Sequence, residues 1–210
     1  SFFNQPSAAE INFKTFCSSL SPLLSESKHD FEKLEQIEKD FSELMNKQLM
    51  KMWANKLGLE HYNETLINEF FNLMFISKAD YTILFRKLSE IPDNLDFLKD
   101  SFYLPINDEL NNRWEVWLEN WQSVLKKEGN IKAKSASMKT LNPAYTWREW
   151  MIVPAYEEAE KGNYEKIKEL QDVFSNPYIE KPSEIDQKYN RLKPSKYFKY
   201  GGVSHYSCSS

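Results

Sequence analysis

Cys208 is the side chain of this 210-residue sequence best suited to chemistry, because it is a thiol close to the carboxyl terminus. Its neighbours Ser207 and Ser209 are small and polar, and such a position favours an exposed thiol over a buried structural one. Exposure is the first requirement for thiol redox chemistry. By its position alone, Cys208 is either a redox-active thiol or a thiol without a role in a frayed terminus.

Other arrangements of reactive residues are incomplete. His205 and Cys208 form an H-x-x-C pair, but a zinc site needs two further ligands and Cys17 is the only other thiol. A nucleophilic Cys208 with His205 as its base lacks a recognisable third group to orient the base. The sequence has no glycine-rich phosphate loop, no nucleophile elbow and no histidine pair at metal spacing. We therefore assign no catalytic, cofactor-binding or metal-binding residue to this chain.

Charge is distributed unevenly along the chain. The net charge is −4, and residues 181–210 hold six basic and two acidic residues, so residues 1–180 carry −8. The tail is rich in tyrosine, but four excess charges are too few to indicate a nucleic-acid-binding arm. No apolar run reaches the roughly 18 residues of a membrane span. We expect no nucleic-acid or membrane partner, and the two cysteines favour an intracellular setting.

The elements that must position these residues are predicted to be helices. Apolar residues recur at helical spacing and glycine is scarce, with five residues, so the fold class is expected to be all-α. Helices are expected at about residues 30–57, 62–75, 80–91, 108–127, 142–160 and 164–174. The segment 132–139 is expected to be a linker or a weak helix, and Pro154 should kink its helix.

Core positions follow from the same spacing. The helix at 62–75 is apolar around most of its circumference and is expected to be central. Cys17 lies in a helical pattern that should bury its thiol. Trp114, Trp117 and Trp121 share one stripe and are expected to pack in the core rather than to form a ligand shelf. Two parts are expected: a helical part, 1–179, and an extended, basic, tyrosine-rich tail, 180–210.

Four segments, in order along the chain, resemble the selenoprotein O family. They are Phe2-Phe3-Asn4-Gln5-Pro6 with Asn12; Asp80-Tyr81-Thr82 with Phe85-Arg86 and Leu88-Ser89; Asn142-Pro143 with Arg148, Trp150, Ala159-Glu160-Lys161-Gly162 and Asn176-Pro177; and the terminal Ser207-Cys208-Ser209-Ser210. Some members carry selenocysteine at the position of Cys208. Two residues depart from the family pattern, Glu149 in place of a common Asn and Pro154 in place of a polar residue.

The resemblance implies a protein-kinase-like fold that binds ATP in an inverted pose. With Mg²⁺, such proteins transfer AMP to Ser, Thr or Tyr hydroxyls of target proteins. The family's nucleotide- and metal-binding motifs precede the stretch that matches Asn4-Gln5-Pro6. The chain is therefore expected to be the helical C-terminal part of such a fold, inactive alone, with the missing N-terminal catalytic part and the protein substrates as its partners.

The resemblance also implies a redox-regulatory role for Cys208. In bacterial members the partner thiol lies upstream of the N-Q-P stretch, outside this chain, and Cys17 does not align with it. The implied setting is the mitochondrion for a eukaryotic source and the cytoplasm for a bacterial one. The alternative to the family interpretation is a non-catalytic helical protein-interaction module.

Overall fold

The computed structural model describes residues 4–24 and 27–198, which form helices joined by short loops. Its α-helices are α1 (Gln5–Leu20), α2 (Lys28–Lys56), α3 (Glu64–Ile76), α4 (Tyr81–Leu88), α5 (Asp108–Glu128), α6 (Ile131–Leu141), α7 (Glu149–Glu160), α8 (Glu165–Phe174) and α9 (Ser183–Tyr189). Short 3-10 helices occupy Ser21–Leu24, Leu95–Ser101 and Ser195–Tyr197. The described ranges contain no strand beyond one isolated antiparallel bridge between Ala79 and Phe102. The predicted all-α fold is confirmed.

The chain divides into two compact units, residues 1–53 and residues 54–210. The first unit contains α1 and most of α2, and the rings of Phe13 and Phe41 stack with their centroids 4.2 Å apart. Cys17 is 2% exposed, as predicted. The remaining helices belong to the second unit, which also includes the described part of the tail, residues 180–198.

The core of the second unit is built on α3 and α5. Phe70 of α3 stacks on Trp117 at 4.9 Å, and Trp117 stacks on Trp121 at 5.5 Å. The indole N–H of Trp117 donates to Leu66 O and that of Trp121 to Leu57 O, each at 2.8 Å. A buried indole keeps its polar atom satisfied in this way while its rings add apolar area. The tryptophan stripe is therefore core, and α3 is central, as expected.

Helix termini follow local capping chemistry. The side-chain oxygens of Asn63, Asp80, Asn107 and Asn130 each accept the backbone N–H three residues ahead and thereby cap α3, α4, α5 and α6. Gly58 follows α2 with a φ of +70°, in the left-handed region that glycine adopts readily. The N–H groups of Gly58 and Leu59 return to Asn55 O and Ala54 O, which closes the last turn of α2.

Along residues 131–160 the structure agrees with one expectation and overturns another. Of the two alternatives for residues 132–139, a linker or a weak helix, the helix is present. Residues 131–141 form a regular helix, α6, because Asn130 caps it by accepting from Ala133 N. The helix expected from 142 begins only at Glu149, since Asn142 precedes a proline and is extended, with ψ near 100°. The N–H groups of Ala144 and Tyr145 both donate to Pro177 O instead of continuing a helix. Pro154 does lie inside α7.

The tail is not extended throughout. Residues 183–189 form α9, which the sequence analysis had placed in an extended segment, and Tyr189 of this helix is buried against α7 and α8 residues such as Trp150 and Leu170. Burial of one apolar side on the second unit explains a helix where the local sequence alone gave little signal. Cys208 and His205 lie outside the described residues.

We predict that Gly58→Ala lowers the free energy of unfolding more than Gly162→Ala. Both glycines follow a helix at positive φ, +70° and +82°, so both alanines meet the same backbone cost of about 1 kcal/mol. An added Cβ at Gly58 would lie 2.7 Å from Met138 Sδ, which is buried, whereas nothing lies within 4 Å at Gly162. The overpacking should cost about a further 1–3 kcal/mol in urea unfolding of the chain. Equal losses for the two variants would show that Met138 moves aside freely.

Candidate functional site

Asp80 is the centre of a buried polar cluster in the second unit. It is 6% exposed and stands in the turn between α3 and α4. Its N–H donates to Ser101 O at 2.7 Å, and its Oδ1 accepts from Ile83 N at 3.1 Å as the cap of α4. Arg148, just before α7, donates to both carboxylate oxygens. A buried carboxylate is stable only when its oxygens are bonded this completely, so Asp80 ties together α4, α7 and the 95–101 turn.

Arg148 stays charged in this environment. Burial lowers the pKa of its guanidinium, but the hydrogen bonds and charge of Asp80 more than compensate, so the pKa lies above its usual value. The bidentate geometry fixes the orientation of both side chains. Arg148 therefore acts as a permanent cation that holds the start of α7 against the start of α4.

Tyr103 connects this cluster to the carboxyl-terminal segment. Its hydroxyl donates to Asp80 Oδ2 at 3.2 Å and accepts from Lys193 N at 3.1 Å. Burial, assisted by the nearby Asp80 charge, raises the pKa of Tyr103, so the hydroxyl keeps the proton that it donates. The ring of Phe198 lies edge-on to the Tyr103 ring at 6.1 Å. Tyr103 thus holds the backbone of the last described residues.

Tyr145 repeats the same arrangement at the other end of the segment. Its hydroxyl donates to Asp186 Oδ1 at 2.8 Å and accepts from Lys181 N at 2.9 Å. Burial raises the pKa of Tyr145 to about 12. Lys181 and Lys193 each stand directly before a proline, which disfavours helical backbone at these residues and leaves their N–H groups available. We call Tyr103 and Tyr145 the two tyrosine anchors.

Arg86 adds a charged contact to the same segment. It is almost fully buried, and its Nη2 donates to Glu180 Oε1 at 2.8 Å. Its Nη1 donates to Lys139 O and Asn142 O, each at 3.1 Å, at the C-terminal end of α6. The last carbonyls of a helix have no partner within the helix and carry partial negative charge, so a cation is favoured there. Arg86 therefore joins α4, the end of α6 and the start of the tail.

Lys56 completes this group of cations at the end of α6. Its Nζ donates to Leu141 O at 3.3 Å and lies 4.8 Å from the ring centre of Phe85 and 5.4 Å from that of Tyr81. Burial lowers the pKa of Lys56 to about 8. Asn142, fully buried, donates its amide to Lys56 O at 2.8 Å and to Ser89 Oγ at 3.0 Å. The end of α2 is thereby bonded to α4 and to the loop after α6.

Residues of two of the resembling segments meet in this cluster. Asp80, Arg86 and Ser89 come from one segment, and Asn142 and Arg148 from the other. Tyr103, Tyr145 and Lys56 were not recognised from the sequence, because the residues around an isolated tyrosine or lysine do not indicate its distant partner. Among residues 4–24 and 27–198, no three His, Cys, Asp or Glu side chains are grouped as metal ligands. Within the same ranges, no helix is long and apolar enough to cross a membrane.

The charged groups of the cluster bond to one another, to backbone groups and to tyrosine hydroxyls. Such a site positions chain segments and holds the last residues of α2, α4, α6, α7 and residues 180–198 in fixed relation within the second unit. The last described residue, Phe198, stands ten positions before Cys208 in the sequence. The site is therefore an anchor for the carboxyl-terminal segment.

Comparison with known proteins agrees with the motif residues. The profile of the family described as Protein adenylyltransferase SelO matches residues 1–175. The chain is 30% identical to Protein nucleotidyltransferase YdiU of Tolumonas auensis, with 100% of the chain and 41% of the relative covered. Proteins of the same name from Methylococcus capsulatus and Flavobacterium johnsoniae are 27% and 28% identical, with 98% and 100% of the chain and 40% and 41% of each relative covered. The chain spans about two fifths of the length of these relatives.

We predict that Tyr103→Phe releases the segment around Lys193. The substitution removes the acceptor for Lys193 N–H and the donor to Asp80, and an unpaired buried group costs about 1–3 kcal/mol. Amide hydrogen exchange of residues 190–198 should become at least about tenfold faster. The exposed Tyr164 gives the matched control, Tyr164→Phe, which should leave exchange unchanged. Unchanged exchange in both variants would show that Tyr103 does not hold residues 190–198.

We predict a pH-dependent stability contribution from Lys56. With a pKa of about 8 in the folded chain and about 10.4 when unfolded, the unfolded state binds more protons between these values, so stability rises with pH. Relative to Lys56→Met, the unmodified chain should gain up to about 2 kcal/mol between about pH 7 and pH 9.5 in chemical unfolding. Lys47→Met, at an exposed lysine, serves as the control and should show no such trend. A flat difference for Lys56→Met would mean that aromatic contact keeps the ammonium charged.

Proposed function

Because the chain belongs to the Protein adenylyltransferase SelO family, we propose that it is the carboxyl-terminal part of an enzyme that transfers AMP from ATP to Ser, Thr or Tyr hydroxyls of proteins. The observation that carries this proposal is the family match over residues 1–175, in which the matching motif residues bond to one another. In the proposed reaction the oxygen of a protein hydroxyl bonds to the α-phosphorus, its proton passes to a base or to water, and pyrophosphate leaves with the electrons of the broken bond between the α-phosphorus and the bridging oxygen. A divalent metal such as Mg²⁺ would neutralise charge on the phosphates.

We place ATP and Mg²⁺ binding in the part of the longer protein that this chain does not span. The curated relatives extend well beyond the matched region, since the chain covers 41% of the Tolumonas auensis protein. The chain alone should then be inactive. Its partners would be the remainder of the protein and the protein substrates, while an intracellular setting without nucleic-acid or membrane partners stays a prediction.

The role proposed for this chain is to fix the backbone of residues 181–193, so that Cys208 can reach only a limited region of the longer protein. The tyrosine anchors hold Lys181 and Lys193, and Cys208 stands ten positions after Phe198. A chain of ten residues spans at most about 35 Å. Cys208 can therefore meet a thiol of the longer protein only inside that radius. Oxidation would join the two thiols as a disulfide, with two protons and two electrons passing to an oxidant such as hydrogen peroxide.

The activity is tested with two labels on ATP. The longer protein is incubated with Mg²⁺, a protein substrate and ATP labelled at either the α- or the γ-phosphate, and the 210-residue chain is treated in parallel. Transfer of the α-label by the longer protein, and of neither label by the chain, is the expected result. Transfer of the γ-label would indicate phosphorylation instead. Transfer by the chain alone would show that the catalytic residues lie within residues 1–210, and no transfer by either would favour an interaction module.

The thiol is tested in the longer protein by Cys208→Ser, with Cys17→Ala as the control for the buried thiol. Peroxide should change AMP transfer by the unmodified protein and by Cys17→Ala, and a thiol reductant should restore it. Cys208→Ser should not respond to peroxide, and its activity under reducing conditions should be nearly unchanged, because a regulatory thiol takes no part in the transfer. A large loss of reduced activity in Cys208→Ser would contradict a purely regulatory role.

A further inference from the structure

The first unit has almost no core of its own. Among residues 4–24 and 27–53, Cys17 is the one residue that is buried. Two helices joined by a turn cannot offset the loss of chain entropy on folding with a single buried side chain. The unit therefore requires apolar contacts beyond those between α1 and α2.

One side of α2 carries the apolar side chains that such contacts would use. Leu34, Ile37, Phe41, Leu44 and Met45 follow one another at spacings of three, four, three and one, and so share one side of the helix. We call these five residues the α2 face. Ile37 and Leu44 lie two turns apart on this side, and each is 56% exposed.

The α2 face differs from an ordinary scatter of exposed apolar residues. Single exposed leucines are common on protein surfaces, but a helical row that continues over three turns is the pattern of a buried helix side. The opposite side of α2 is strongly charged and carries Glu32, Glu35, Lys39, Glu43 and Lys47. The charged side of α2 therefore faces solvent and the apolar side is its packing side, which α1 covers in part through the stack of Phe13 on Phe41.

We infer that the α2 face is the docking surface for the part of the longer protein that lies outside this chain. This inference rests on the proposed function, which makes the chain one part of that enzyme. About three fifths of each relative's length has no counterpart here, while the match covers the chain throughout, so in those relatives a large further part belongs to the same polypeptide. The first unit also lies at the amino-terminal end of the chain, next in sequence to the catalytic part that the family resemblance places upstream.

The partner surface must be apolar over the two turns from Ile37 to Leu44, the exposed part of the α2 face, because Phe41 between them already stacks on Phe13 of α1. Such a row fits a helix or a pair of helices of the catalytic part, because helices pack by inserting side chains at three- and four-residue spacing between those of a neighbour. The contact should not depend on pH, since none of the five residues carries a titratable group.

Hydrogen exchange of the longer protein and of the 210-residue chain tests the docking. Amides of residues 30–48 should exchange at least about tenfold more slowly in the longer protein, whereas amides of α5 should exchange alike in both. Equal exchange of residues 30–48 in the two proteins would overturn the inference. Slow exchange in the 210-residue chain that depends on its concentration would also overturn it, in favour of a second copy as the occupant.

Paired variants of the longer protein test the same surface without removing any part. Ile37→Glu combined with Leu44→Glu keeps good helix-forming residues but places charge on the α2 face, and should raise exchange of residues 30–48 at least about tenfold. Val116→Glu, at a 48% exposed valine of α5, is the matched control and should not do so. Unchanged exchange in the double variant would overturn the inference even if AMP transfer is observed. If the exchange results show docking but the longer protein transfers no AMP, the inference about the α2 face stands and the proposed activity is wrong.

Discussion

The second unit depends on the buried carboxylate of Asp80. Its two oxygens receive the N–H of Ile83, the guanidinium of Arg148 and the hydroxyl of Tyr103. Removing one partner would leave a buried charge undersatisfied, which is far more costly than losing a surface contact. The start of α4, the residue before α7 and the backbone at Lys193 are thus fixed by one side chain, and the position of the tail follows from it.

In a second set of contacts, buried cationic side chains, and not a carboxylate, join separate segments of the chain. The final carbonyls of α6 receive Arg86 and Lys56, which reach them from α4 and from the end of α2. The helix end supplies acceptors that no residue of α6 can satisfy, and distant segments supply the donors. This arrangement explains why α6 forms, although its own sequence is polar and basic. Its order comes from the contacts at its two ends and from the buried Met138.

Some features could be predicted from the sequence because they depend on local spacing. The tryptophan stripe of α5, the central position of α3 and the buried Cys17 all follow from apolar residues three and four apart. The late start of α7 depends only in part on local sequence, the proline after Asn142. The rest comes from the N–H groups of Ala144 and Tyr145, which donate to Pro177 O, more than thirty residues away in sequence. The tyrosine anchors are of the same kind. The role of Tyr103 and Tyr145 depends on hydrogen-bond partners about ninety and forty residues away in sequence, and no local pattern indicates those partners.

At Lys181 and Lys193 the tyrosine anchors accept from the backbone N–H group and make no bond to the lysine side chain, whereas Tyr145 also donates to the side chain of Asp186. Substitution of Lys181 or Lys193 by almost any residue would preserve the two bonds, so these positions can drift during evolution without detaching the tail. Proline is the exception, since it lacks the N–H. Chain length between the two positions is constrained more strictly than identity, because a single inserted residue would move one N–H away from its tyrosine. In related sequences, the residue types at the positions of Lys181 and Lys193 should therefore vary, while the number of residues between the two positions stays constant.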